Sequence, residues 1–298
     1  MMSYSKLSKN PRLFARFTGL TPEEFDRLFQ KIEKEYPRFE VERLRKRSRI
    51  NVIGQGRKFD LPLKDRVIVF FVYYRLYITY ALSEFLFNLN QSNIHRGIKK
   101  LEPLIERCLP TPKKMKKKAK RIGTLEELEK IFPELKAFVD GTEQEIPRPK
   151  NRRKRKSYYS GKKKKHTVKL QVITNKNGLI IDKSKHHKGR VHDYNMFGKR
   201  KPRLPPDVEL GGDSGYQGIK EDFPNLKSRI PIKKPKGGKL TKEQKKHNKK
   251  LSKERIVIEH AIGKMKKFGI MGKKFRNRLN KYDTMTEIVG GLVNFKIM

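Results

Sequence analysis

The sequence predicts an α/β fold: a mixed sheet flanked by helices, preceded by an all-α domain of helix-turn-helix character. Three observations predict it. Apolar residues recur at helical spacing up to about residue 110. A dense block of like charges follows at 111–123, where packing is disfavoured. From Thr124 onward, runs of strand length alternate with helical stretches, in the order strand, strand, strand, helix, strand, strand, long helix. The expected organisation is a helical domain over 1–110, a basic linker over 111–123 and an α/β domain over 124–298.

In the first part, Thr21-Pro22-Glu23-Glu24 is a helix start: a cap, a proline in the first turn, then acids at the positive end of the dipole. The helix continues through Phe25, Leu28, Phe29 and Ile32. A basic stretch, Arg43 to Lys58, precedes a second apolar helix from Leu63 to Tyr77. Thr79 to Phe87, a polar turn and a helix capped by Ser92 have the spacing of a helix-turn-helix. Ile94, Ile98, Leu101, Leu104 and Ile105 mark the buried face of that last helix. Its other face carries Asn93, His95, Arg96, Lys99 and Lys100, candidate DNA contacts, against the plainer reading of a solvated basic face.

In the second part, Thr124 caps a short helix to Ile131. Ala137-Phe138-Val139-Asp140 reads as a buried strand ending in an acid, and Glu143 to Ile146 as a second, short strand. Arg148 to Lys156 is a basic excursion. Here Arg152 and Arg153, with Lys162 and Lys163 just beyond, are further candidate DNA contacts. His166 to Thr174 and Leu179 to Lys185 form a hairpin around Asn175-Lys176-Asn177-Gly178. Asp193 is expected to cap a helix through Phe197. Val208 to Asp213 is another strand ending in an acid, and Arg229 to Ile232 a last short one. Helices over Thr241–Phe268 and Tyr282–Lys296 close the chain.

Lys and Arg number 75 and Asp and Glu 31 in 298 residues, a formal net charge of +44. Such an excess calls for a polyanionic partner. It is spread along the chain rather than gathered in one patch, which favours nucleic acid over a membrane surface. Cys108 is the single cysteine, which excludes an intrachain disulfide and a Cys-rich zinc site. No apolar core of a signal peptide is present in Met1 to Phe14. Val67 to Leu89 is interrupted by Arg75 and Glu84, far short of the ~20 apolar residues of a spanning helix.

In so basic a chain, acids that end apolar strands stand out. Asp140 and Asp213 each also fit a plain turn or helix cap. On the long helix, Arg255, Glu259 and Lys266 fall within an arc of about 40°, beside the apolar face of Ile258, Ile262 and Met265. An ordinary Arg255–Glu259 surface pair is the alternative. Three carboxylates suit phosphodiester chemistry, because two Mg²⁺ ions about 4 Å apart can activate water and stabilise both the reacting and leaving oxygens. Mg²⁺ takes hard oxygen ligands and keeps several waters, so a few carboxylates suffice. Arg255 and Lys266 would neutralise phosphate oxygens. A zinc site from His166, His186, His187 and His192 has no convincing tetrahedral spacing. His186 and His187 are expected to end a strand near DNA. Tyr158, Tyr159 and Tyr216 are candidates to stack on unpaired bases, with core or surface packing the equal alternative.

Five stretches in order resemble the DDE transposases of insertion sequences, in the branch related to the Harbinger elements. They are Phe138-Val139-Asp140-Gly141-Thr142-Glu143-Gln144, Tyr158 to His166, Gly189-Arg190-Val191-His192-Asp193, Gly212-Asp213-Ser214-Gly215-Tyr216-Gln217-Gly218 and Arg255-Ile256-Val257-Ile258-Glu259-His260. The resemblance covers about residues 60–298. It implies a ribonuclease H-like catalytic domain with Asp140, Asp213 and Glu259 as metal ligands, Arg255 and Lys266 as accessory catalytic residues, and no covalent protein–DNA intermediate. Arg255, Glu259 and Lys266 match a Tyr-x2-Arg-x3-Glu-x6-Lys signature, whereas Ser252 stands where its tyrosine would be. His192-Asp193 also looks family-like and is read as structural, with Asp193 a helix cap.

The resemblance therefore implies a metal-dependent endonuclease and strand transferase acting at the terminal inverted repeats of an insertion sequence and on target DNA. Two Mg²⁺ ions are expected, with Mn²⁺ able to substitute. A homodimer on double-stranded DNA is expected because two ends must be paired, with no membrane role. The location implied is cytoplasmic and nucleoid-associated, or nuclear in a eukaryote. A catalytically silent, transposase-derived DNA-binding protein is the alternative.

Overall fold

A computed structural model describes residues 1–45, 52, 58–200, 202, 204–235 and 237–298. Most of the basic stretch from Arg43 to Lys58 therefore lies outside the described residues. The chain divides into two compact units. One is Met1–Leu109 with Lys267–Ile270; the other is Pro110–Lys266 with Met271–Met298.

The first unit is helical: α1 (Tyr4–Leu7), α2 (Pro11–Thr18), α3 (Pro22–Arg45), α4 (Leu63–Leu76), α5 (Tyr80–Phe87) and α6 (Gln91–Cys108). The Thr21 hydroxyl accepts from the Glu24 N–H at 3.2 Å and the Glu24 carboxylate from the Thr21 N–H at 2.9 Å, a reciprocal capping box. Val67 to Tyr74, the most membrane-like run, is buried within the unit, around Phe70, Phe71 and Tyr74. Among the described residues, no helix is long and apolar enough to cross a membrane. Residues 267–270 join this unit through α4: Arg75 donates to the Lys267 carbonyl at 2.7 Å and lies over the Phe268 ring.

The α5–turn–α6 unit forms as expected, with a correction to its cap. Asn90, not Ser92, starts α6; its side chain accepts from the Ser92 N–H at 2.9 Å. Asn88 takes a left-handed conformation that ends α5, so the turn is too short to leave Ser92 outside the helix. Ile94, Ile98, Leu101, Leu104 and Ile105 are all buried.

The second unit begins with α7 (Pro112–Ala119) and α8 (Leu125–Ile131). The segment 111–123 is not simply a linker. In α7, Pro112, Met115 and Ala119 form a buried stripe that offsets the repulsion among its lysines, and Lys116 pairs with Asp182 at 2.9 Å. The strands are β1 (Lys136–Glu145), β2 (Tyr159–Ser160), β3 (Lys165–Asn175), β4 (Ile180–Lys183), β5 (His187–Lys188), β6 (Glu209–Gly211) and β7 (Ser228–Arg229). The helices among and after them are α9 (Arg152–Tyr158), α10 (Asp193–Arg200), α11 (Ile219–Asp222), α12 (Lys242–Lys266), α13 (Gly269–Gly272, whose first two residues belong to the first unit) and α14 (Tyr282–Phe295).

The sheet is mixed, in the order β2-β3-β1-β6-β7, with β4 and β5 also paired to β3. The β1–β3 and β3–β4 pairs are antiparallel; β1–β6 and β6–β7 are parallel. One face of the sheet carries Ala137, Val139 and Ile173 against Phe132, Phe197 and Tyr216. The opposite face receives α12: a Cβ on Gly211 would meet the Phe138 ring at 2.8 Å and Leu251 of α12 at 3.6 Å. One expectation is corrected here. The two short strands at 137–140 and 143–146 are a single strand, because β3 pairs with β1 continuously from Ala137 to Glu145. Gly141-Thr142 reads as a turn by composition, but this long partner holds it extended.

Candidate active site

Asp140 therefore lies within a strand rather than at its end. What stops near it is the parallel neighbour. Pairing of β1 with β6 ends at Phe138 and Gly211, and two residues beyond those positions the two chains carry Asp140 and Asp213. Asp140, still within β1, and Asp213, just after β6, thus lie beyond the same end of the parallel β1–β6 pairing. Asp140 faces Val172 across the β1–β3 pair, and Phe138, two residues earlier, shares its side of the sheet, the side on which α12 packs.

From α12, Arg255 reaches down with a side chain only 11% exposed. Its Nη2 stands 3.7 Å from Asp140 Oδ2 and 3.5 Å from Glu259 Oε1, so one guanidinium joins the two acids. Its Nε is buried without a hydrogen-bond acceptor. The spacing that placed Arg255 and Glu259 on one helical face also holds Ile258, Ile262 and Met265 in the core. Glu259 stands beside that buried face with its own side chain 54% exposed. Lys266 is exposed as a residue, yet partial desolvation of its ammonium, with Lys163 nearby, pulls its pKa down against Asp140 and Glu143.

Burial raises the Asp140 pKa to about 6, and the charges of Asp213 and Asp193 add to the rise. The Gly141 N–H, at 2.7 Å from Oδ1, and Arg255 oppose it. Asp213 is held by the Gly215 N–H at 2.9 Å, at the start of a 3-10 turn. That turn places Tyr216 fully inside the core, where Gln171 donates to its hydroxyl at 3.0 Å. Tyr216 is therefore not available to stack on a base, which corrects the expectation.

Asp193 is a residue whose place the sequence reading missed. The cap of α10 is His192: its carbonyl accepts from Met196 at 3.1 Å, and its Nδ1 from the Tyr194 N–H at 3.3 Å. Asp193 is thereby freed to pair with Lys169 at 3.1 Å, on the sheet face opposite Asp140. A Cβ on Gly141 would stand 3.1 Å from its carboxyl carbon, so the glycine admits this close approach. The signal available beforehand was that glycine, directly after an acid in a strand.

Among the described residues, no group of three or more His, Cys, Asp or Glu side chains is arranged to hold a metal ion. His186, expected near DNA at a strand end, instead bonds Asp283 of α14 through Nδ1 at 2.9 Å and its own N–H at 2.7 Å. His187 lies in β5. Asn93, His95, Arg96 and Lys99 are exposed on α6, while Lys100 is half-buried over the Phe59 ring. Arg152, Arg153, Lys162 and Lys163 are all exposed.

Comparison with known proteins gives two family matches. The profile described as "DDE superfamily endonuclease" matches residues 139–294, and "Helix-turn-helix of DDE superfamily endonuclease" matches residues 59–111. The chain is also 29% identical over 286 residues to a protein of Microchaete diplosiphon named "Probable transposase for insertion sequence element IS702", covering 96% of this chain and 95% of that one. No solved structure gives a significant match.

Proposed function

Because the chain belongs to the DDE superfamily endonucleases, with that superfamily's helix-turn-helix ahead of a mixed-sheet domain, we propose that it is a transposase that cuts DNA at the terminal inverted repeats of an insertion sequence and joins the cut strands to target DNA. The observation that carries this is that Asp140 and Asp213 each stand two residues past the last β1–β6 pair, with Arg255 linking Asp140 to Glu259. The helical domain would bind the repeats and residues 124–298 would do the chemistry. A homodimer would pair two ends in the cytoplasm, on the nucleoid.

The superfamily uses divalent metal ions, and the donors here suit a hard cation. Asp140 is a buried carboxylate whose charge is disfavoured beside Asp213, a cost that a bound cation would relieve. Asp140, Asp213 and Glu259 would hold Mg²⁺ or Mn²⁺, two ions in all. When bound, the metal would polarise the phosphate and lower the pKa of a water or hydroxyl nucleophile. The protein's own groups do the rest. Arg255 holds Asp140 and Glu259 toward each other and offers donors to a phosphate oxygen. The Gly215 N–H fixes the Asp213 carboxylate. Lys163 and Lys266 attract the strand to be cut.

A catalytically silent DNA-binding relative is the second reading, and the presence of all three acids, Asp140, Asp213 and Glu259, weighs against it. One experiment separates the two. Purified protein is incubated with DNA carrying the inverted repeats that flank its own coding sequence, with Mg²⁺ or Mn²⁺. Cutting that is lost in Asp213→Ala supports the transposase. Cutting that survives it unchanged, or no cutting by the unaltered protein, overturns it.

A further inference from the structure

The chemistry above makes no use of the basic excursion between β1 and β3. Helix α9 is flanked by two clefts. The larger, about 730 Å³, is lined by Arg148, Arg152, Arg155, Lys156 and Arg190, together with the aromatic pair Tyr159 and His166. The smaller, about 300 Å³, lies along Arg153, Lys188 and Val191 and shares Lys156 and Arg190 with the first.

No acid lines either cleft. Each of the five cations of the larger one lacks a carboxylate partner among the described residues, and Arg155 keeps a buried Nε with no acceptor. Arg148, Arg152, Lys156 and Arg190 are exposed, but Arg155 is half-buried, and elsewhere in this unit such cations are matched: Arg200 with Asp182, Arg229 with Glu209 and Glu254, Lys183 with Glu287. Five unmatched charges around one concavity repel one another, and the repulsion is relieved by an occupant carrying several negative charges.

The aromatic pair narrows the occupant further. Tyr159 is 42% exposed although it stands beside His166, with ring centres 5.6 Å apart and planes crossed at 70°. The crossed contact braces the tyrosine, and its exposure leaves part of the ring accessible at the cleft. Paired bases in a duplex are stacked on their neighbours and offer no free face. An unpaired nucleotide brings both a phosphate for the cations and a base for the ring. The volume is that of a small-ligand site rather than of a duplex groove.

We propose that this cleft binds one or two nucleotides of an unpaired DNA strand, with backbone phosphates held by Arg155, Arg152 and Arg190 and a base stacked on Tyr159. The proposal rests on the reading above only for the identity of the strand, DNA opened beside the cut.

The test is run in EDTA, so that no cutting intervenes. Binding of a 20-nucleotide single strand carrying 2-aminopurine is compared with that of the same sequence as a duplex. Expected are quenching of 2-aminopurine by the unaltered protein, loss of that quenching in Tyr159→Ala, and about a tenfold weaker single-strand affinity. Tyr159→Phe should retain both, and duplex affinity should change less than twofold. Arg155→Gln with Arg190→Gln should weaken the single strand similarly and supplies a second variant if Tyr159→Ala folds poorly. Single-strand affinity unchanged in all these variants, or an equal loss on single strand and duplex, overturns the proposal. A protein that fails to cut its repeats yet shows the Tyr159-dependent signal would sink the transposase reading alone. One that cuts but lacks the signal would sink the cleft alone.

Discussion

The Nη2 of Arg255 lies 3.7 Å from Oδ2 of Asp140, and the same guanidinium lies 3.5 Å from Glu259. Both contacts come from one nitrogen of a rigid, delocalised guanidinium whose other N–H groups stay available to a phosphate, which a single ammonium nitrogen does not supply. Arg255→Ala is expected to lower cutting by about a hundredfold, the scale of losing one electrostatic donor. Arg255→Lys should restore the charge but less than half of the lost free energy of activation. Single-turnover rates on a cleavable duplex measure both.

Asp140 should oppose stability and activity to each other. Its carboxylate is buried beside like charges, and its pKa is raised to about 6. In chelator at pH 7.5, Asp140→Asn removes that unfavourable charge. The unfolding midpoint is expected to rise by about 3 °C while cutting in metal disappears. Calorimetry and a cleavage assay on the same preparation check the pair. A fall in midpoint would mean that the Arg255 contact outweighs the cost of burial.

The His186–Asp283 pair gives a pH signature remote from the candidate site. Desolvation raises the Asp283 pKa, but hydrogen bonds from the His186 ring and N–H outweigh it, and the net shift is downward. A depressed folded pKa stabilises the protein above the ordinary aspartate value, and that stability is lost as pH falls through the folded value. Asp283→Asn is expected to cost about 1 kcal/mol at pH 7. The difference from the unaltered protein should vanish as pH drops below the usual aspartate range. Denaturant unfolding at pH 7, 5 and 3 measures it.

On α6, Arg96 and Lys99 are exposed beside a fully buried apolar stripe. Arg96→Ala and Lys99→Ala should weaken duplex binding without unfolding the helix. For every phosphate that a substitution leaves unneutralised, the slope of log affinity against log salt should flatten by about 0.9. An unchanged slope would remove these residues from the interface and leave the candidate active site untouched.

The elements that the sequence made legible are those whose pattern is local. The stripe on α6 and the capping box at Thr21 follow from spacing alone. So does the Arg255–Glu259 face, since positions four apart on a helix are neighbours. What escaped depends on partners distant in sequence. Gly141-Thr142 stays extended because β3 runs alongside it. Asp193 leaves its cap because Lys169 and the bare Gly141 draw it to the sheet. Tyr216 is buried because Gln171 offers its hydroxyl a donor inside the core. A lysine-rich segment packs as α7 on three small or apolar side chains. In the candidate site, the residues could be singled out from the sequence, but the β1–β6 pairing that brings Asp140 and Asp213 past one strand end could not, because it joins segments distant in the chain.

The crossing at Gly189 has a consequence for ligand capture. Its N–H donates to Thr167 of β3 at 3.0 Å, and the next N–H, of Arg190, donates to Ser157 of α9 at 3.3 Å. A Cβ at 189 would stand 2.6 Å from the Tyr158 carbonyl. Gly189→Ala should therefore loosen the excursion, weakening nucleotide capture more than overall stability, as thermal unfolding and oligonucleotide binding measured side by side would reveal. Two residues thus stitch the basic excursion to the sheet, fixing the walls of the cleft in the free protein. The backbone that carries Arg190 and α9 is set before any strand arrives, so little of the attraction is lost to ordering that backbone.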